Sequence, residues 1–278
     1  MLTKTEILER ERRGTMIAGI AAVAGVALIL ASFGDSAAGV RAGVGLADRL
    51  AEVDGERGKL VVASVVQLIG WMLLAVPLVF MFRAAAARSD RVRSGLVGLI
   101  IAAPLFIGIG GLVSAGSILQ AATDFKDVPA ATISKCVEGK AAEESKGDES
   151  KQGDGGSAEA PSAAELEQLE EDCADETARD VRGEVSLAPL ETGLGLAGLI
   201  GFTISVVYVS LWSMRTGLLS RFWGSLGLAL GAVFVFFTLF TLIWFIYLGL
   251  LLAGWVPGGR PPAWAAGEAV EPPRPSGG

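Results

Sequence analysis

The chain has 278 residues, of which 51% are apolar, with a mean hydropathy of +0.52 and a formal net charge of −7 without a single histidine. That apolar balance excludes an ordinary soluble domain and points to a chain whose solvent is lipid, where the spanning elements are helices because an open strand edge would stay unsatisfied. The missing histidine excludes a Ser–His dyad and any His-ligated metal, and the acidic balance offers nucleic acid no cationic surface.

Residues 1–14 include "TKTEILERERR", three glutamates beside four basic residues. Thr3 and Glu6 stand at capping-box spacing and predict a short helix beside the membrane. The first apolar run follows, Thr15 to Phe33. It is longer than the apolar core of a secretory signal and no small-x-small cleavage site follows it, so it reads as a span, with a signal peptide as the alternative.

Residues 34–59 hold four basic residues scattered among Asp35, Asp48, Glu52, Asp54 and Glu56. Leu46, Leu50 and Val53 recur there at helical spacing, which predicts either a short interfacial helix or a plain solvated loop. The second apolar run is Leu60 to Phe82. "RAAAARSDRVRS" then places Arg83, Arg88, Arg91 and Arg93 before the third run, Gly95 to Gln120, in which Pro104 predicts a kink.

Residues 121–191 carry nineteen acidic and seven basic residues, a net of −12, against +5 for the rest of the chain. Residues 140–162 contain almost nothing able to bury surface, so ordering them would cost entropy without return, and a disordered linker is expected. Beyond it, Ser162 and Glu165 form a second capping-box pair, and Leu166, Leu169 and Cys173 recur every three or four residues, which predicts a helix over 163–182. The chain has two cysteines, Cys136 and Cys173, both in this loop. Outside the cytoplasm such a pair reads as a disulfide, two unlinked thiols being the alternative.

The fourth run, Thr192 to Met214, leads into "RTGLLSRFWG" with Arg215 and Arg221. The last, Ser225 to Trp255, is about 46 Å long as a helix, against a hydrocarbon core of about 30 Å. One tilted helix that leaves the Pro/Gly-rich tail 256–278 outside is the expected reading. Two half-length passes meeting near Phe237 and Thr238, which return the tail to the cytoplasm, are the alternative. The expected fold is therefore all-α: a polytopic transmembrane bundle of five spans, or six, with three in 15–120, two in 192–255, and a partly disordered acidic loop at 121–191.

Short loops rich in Lys and Arg stay in the cytoplasm. Residues 1–14, the turn with Arg83, Arg88, Arg91 and Arg93, and the turn with Arg215 and Arg221 are mutually consistent on that side. The acidic loop then falls outside.

No ionisable side chain lies within the runs. Gln67, Ser114, Ser117, Ser205 and Tyr208 are their main polar groups, expected to hydrogen-bond between helices rather than to line a substrate path. Small residues at four-residue spacing, Gly227 with Gly231, Gly110 with Ser114 and Ala197 with Gly201, predict close helix packing, and suit equally a homo-oligomer or a membrane-protein partner. "DESKQGDGGSAE" matches a calcium loop at Asp148, Gly153 and Glu159, but Ser150 and Gln152 stand where Asp or Asn belongs. No metal or cofactor is expected.

"LAEVDGERGKLVVASVVQLIGWMLLAVPLVFMFRAAAARSDRVRSGLVGLI", "RFWGSLGLALG" and "GGRPPAWAAGEAVEPP" together resemble a group of uncharacterised multi-pass membrane proteins of high-GC actinobacteria. The resemblance covers roughly two thirds of the chain, omits the acidic loop, and implies class and compartment without an activity. The expected function is a non-enzymatic structural or accessory component of the plasma membrane, the alternative a small-molecule transporter or channel subunit.

Overall fold

The computed structural model describes residues 4–37, 45–149, 162–234 and 236–270, and every regular element among them is helical. In chain order these are α1 (Lys4–Ala37), α2 (Leu46–Gly55), α3 (Arg57–Ala86), a single 3₁₀ turn (Ser94–Leu96), α4 (Val97–Lys126), α5 (Ala130–Glu149), α6 (Ala163–Glu184), α7 (Ala188–Arg215), α8 (Arg221–Ala232), α9 (Thr238–Ala253) and α10 (Ala263–Ala266). Four stretches are long and apolar enough to cross a membrane, Thr5–Ser32, Arg57–Ala86, Ser94–Lys126 and Pro189–Arg215. The polar N-terminal segment and the first apolar run form one continuous helix. Thr3 of the expected capping box lies outside the described residues.

The chain divides into two compact units: Met1–Gly34, Val62–Leu112 and Leu190–Gly278 form one, Asp35–Val61 and Val113–Pro189 the other. In the first, Trp71 meets Phe202 edge-on at 5.3 Å and Phe234 at 6.0 Å, and Phe202 stacks on Phe245 at 5.9 Å. Leu74, Leu78 and Leu248 fill the space around these rings.

The final apolar run corrects the one-helix reading. It breaks after Ala232 and resumes at Thr238, because Phe234 turns inward between Trp71 and Phe202 instead of continuing the helix. The carbonyls freed by the break find donors: Thr238 Oγ1 donates to Phe234 O at 3.0 Å, and Phe236 N and Phe237 N donate to Val233 O. At 12 and 16 residues, α8 and α9 are about 18 and 24 Å long, each short of a 30 Å core. They pack against each other as a hairpin. The chain then returns to the turn that follows α7, where Val270 N donates to Thr216 O at 3.4 Å. Gly217 adopts φ 75° there, and a Cβ on it would run into Val270 O. The tail is therefore not carried away from the arginine-bearing turns.

In the second unit, Leu50, Ala121, Ala122, Ala178 and Val185 make a small core, with Leu46 and Val53 packed on it. The apolar face of α2 is thus covered by α6 rather than laid in an interface. Gly45 has no side chain to cap α2, and Asp175 supplies the missing acceptor, taking a 2.9 Å hydrogen bond from Ala47 N. Asp175→Ala should cost about 1 kcal/mol, the usual value of a lost cap, measurable as a lower melting midpoint.

The expected capping box of α6 is present, Ser162 and Glu165 bonding reciprocally. Leu169 and Cys173 are buried, while Leu166 is exposed. The linker expectation is corrected for residues 140–149, which continue α5. Ala141, Ala142 and Glu143 are strong helix formers, and extending an existing helix requires no new nucleus. Residues 150–161 lie outside the described ones.

Candidate functional site

Cys136 and Cys173 form a disulfide that joins α5 to α6 across 37 positions, with their Cα atoms 5.9 Å apart. Four residues farther along α5, Lys140 Nζ lies 2.8 Å from Glu176 Oε2. That hydrogen bond raises the Lys140 pKa above its ordinary 10.5 and lowers Glu176 below its ordinary 4.5. A depressed carboxylate contributes stability that is present above its unfolded pKa and lost as pH falls through the folded one; a raised ammonium contributes below its unfolded pKa and loses it in strong base. The contact should hold from the ordinary glutamate value up to the ordinary lysine value and loosen in acid. Melting of the wild type should therefore drop more between pH 7 and acid than that of Lys140→Met.

The most elaborate constellation gathers around Arg88, which entered the sequence reading only as a marker of orientation. Its side chain is fully buried and forms a two-pronged pair with Glu11 of α1, Nη1 to Oε1 and Nη2 to Oε2, the latter at 2.8 Å. Nη1 also donates to Ala84 O at 2.9 Å and Nη2 to Ala263 O at 3.1 Å. One guanidinium thus ties α1, α3 and the tail together. Beside it stands Trp264, whose ring has the Arg88 guanidinium 5.7 Å from its centroid, the Arg260 guanidinium at 5.9 Å, and Phe80 stacked at 6.2 Å. Trp264 Nε1 donates to Leu218 O at 3.0 Å. Arg260 caps the end of α9, donating Nε to Leu251 O at 3.2 Å and Nη2 to Leu252 O. Guanidinium groups suit this position because one planar fork can satisfy a carboxylate, carbonyls and a ring face together.

Next to this cluster a cavity of 460 Å³ runs between α1 and α3, lined by apolar side chains except for Glu11 and Arg83 at one end.

The remaining sequence-predicted residues fall as follows. Arg83, Arg91 and Arg93 are exposed, as are Arg215 and Arg221. Arg93 donates its backbone N–H to Tyr208 Oη at 3.1 Å, and Arg215 lies over the Trp212 ring at 5.4 Å. Gly227 and Gly231 are tightly packed: a Cβ on the first would meet Ser210 and Trp244, on the second Val206 and Val207. Gly110 faces Gly195 at ordinary contact distance, and Ser114 is half-buried. Ala197 is exposed, a correction. The packed stripe of α7 is instead Gly198, Gly201 and Ser205, where a Cβ on Gly198 would come 2.7 Å from Ile107 N and one on Gly201 2.9 Å from Ala103 Cβ. Ser205 is also corrected, since its hydroxyl donates to Gly201 O of its own helix at 2.7 Å rather than to a neighbour. Gln67 is half-buried beside Gly111, and Ser117 is buried without a hydrogen-bond partner among the described residues. Of the partial calcium loop, Gly153 and Glu159 lie outside the described residues.

Glu11, Trp264 and Arg260 were missed. The available signal was a tryptophan and an arginine inside a proline-rich tail, together with an acid one turn before a span. Comparison with family models, with curated proteins and with solved structures yields no match.

Proposed function

We propose that the protein is a multi-pass plasma-membrane protein with a non-enzymatic structural or accessory role. The observation that carries this reading is the filling of the first unit's centre by Trp71, Phe202, Phe234 and Phe245, where a transport path would need polar, hydrated walls. Exposed apolar side chains repeat along helix faces, Met16 and Ile20 on α1, Leu196, Ile200 and Ile204 on α7, and such faces suit lipid or a neighbouring membrane helix.

In this reading four helices cross the bilayer, and α8 and α9 form a hairpin that enters and leaves on one side. The N-terminus, the turns bearing Arg83 to Arg93 and Arg215 to Arg221, and the tail are cytoplasmic. The disulfide-tied acidic unit is outside, in the compartment where such a bond persists. Reconstituted into vesicles, the protein should leave the permeability to ions and small solutes at the level of empty vesicles.

The alternative, a transporter or channel subunit, has one observation in its favour. Short broken helices such as α8 and α9 form ion and substrate sites in many carriers. Saturable solute flux in the same vesicles would replace the accessory role with that one.

A further inference from the structure

We propose that the cavity between α1 and α3 is a binding site for one phospholipid with an anionic headgroup, an inference that rests on the membrane reading above. The lining separates by chemistry along its length. Ile17, Ala18, Met72, Val76, Val79 and Phe80 present hydrocarbon, and the charged groups, Glu11 and Arg83, are confined to one end. Glu11 is neutralised by its paired contact with Arg88. Arg83 is exposed and has no ion-pair partner among the described residues. The mouth of the cavity is therefore cationic, and its polarity matches a phosphate or another headgroup anion.

The dimensions fit the same occupant. The lining follows α3 from Met72 to Ala84 and ends at Ala87, just past the helix, a length of about 22 Å at 1.5 Å per residue, which equals one leaflet of a bilayer about 40–45 Å thick with its headgroups. The charged end lies on the turn carrying Arg88, Arg91 and Arg93, placed at the cytoplasmic surface, where anionic lipid attracts basic side chains. An acyl chain occupies the apolar length and Arg83 holds the headgroup. Gly14 also belongs to this wall, and a Cβ there would press on the Phe80 ring at 2.6 Å.

The test uses the full-length protein, extracted from membranes, purified in detergent and examined by native mass spectrometry with added phosphatidylglycerol or phosphatidylcholine. The wild type should retain phosphatidylglycerol in preference. Arg83→Gln should weaken that retention about fivefold, the contribution of one basic side chain near an anionic surface, while Arg83→Lys should largely restore it. Val76→Trp, at a partly exposed wall position, should reduce retention of both lipids by filling the apolar length. Equal retention of the two lipids by the wild type, or wild-type retention by either Arg83→Gln or Val76→Trp, would overturn the site. Carbonate washing of the starting membranes separates this from the underlying reading. Protein released by the wash contradicts membrane integration and the lipid site together, whereas protein that stays in the pellet yet shows no lipid preference contradicts the site alone.

Discussion

Replacing Arg88 by Ala should lower the unfolding free energy by about 3 to 5 kcal/mol, the cost of leaving one partner of a buried ion pair uncompensated. The reason is the arrangement around Glu11, which is 7% exposed and has Arg88 as its ion-pair partner. Without the guanidinium, the carboxylate must be left buried without its partner or pull α1 outward toward water. The carbonyl of Ala84 loses its side-chain donor in the same change, and Ala263 O is left with the backbone N–H of Gly267 alone. Replacing both members, Glu11→Leu with Arg88→Met, should recover most of the loss, because a buried pair exchanged for apolar groups is often neutral. The recovery stays incomplete by about 1 kcal/mol, since the buried carbonyl of Ala84 still lacks its side-chain donor. Thermal unfolding in detergent, followed by tryptophan fluorescence, measures both variants. A double variant as unstable as Arg88→Ala would show that packing of the long side chain, rather than charge pairing, stabilises this end.

The second large effect is expected at the disulfide. Closing a loop of 37 residues contributes roughly 3 to 4 kcal/mol by restricting the unfolded chain. The second unit has little else to set against that loss, because its core is Leu50, Val185 and three alanines. Cys136→Ser should therefore open α5 and α6 while the first unit, with its own aromatic core, stays folded. A glutamate-specific protease should cut within α6, residues 163–184, in the variant and spare that helix in the wild type, and the mobility difference between reduced and non-reduced gels should vanish. Equal protease resistance in the two proteins would mean that the packing of α2 on α6 suffices.

The parts of this architecture legible in the sequence are those set by one-dimensional patterns. Uncharged runs marked four helices of membrane-crossing length, and the Ser162–Glu165 spacing marked the start of α6. Two cysteines confined to one loop marked the disulfide. The break at Phe234 was not legible as the preferred reading, because nothing local interrupts the run. The partners that draw Phe234 inward, Trp71 and Phe202, are distant in sequence. Arg88 was counted by its charge alone, and charge counting cannot separate an exposed arginine such as Arg91 from one buried against Glu11 and Trp264. Four-residue spacing of small residues found Gly227 and Gly231 but selected Ala197 instead of its neighbour Gly198, since the spacing leaves open which face turns inward.

The central proposal is one of sidedness: the acidic, disulfide-tied unit outside a membrane, the arginine turns and the tail together inside. The direct test is cysteine accessibility in intact cells, with a membrane-impermeant maleimide and single replacements Asp90→Cys, Ser186→Cys and Ala265→Cys, the native cysteines remaining joined to each other. Ser186→Cys should label at once, and Asp90→Cys and Ala265→Cys only after the membrane is permeabilised. Labelling of Asp90→Cys in intact cells would contradict the orientation, and labelling of Ala265→Cys alone would contradict the return of α9 to the cytoplasmic side.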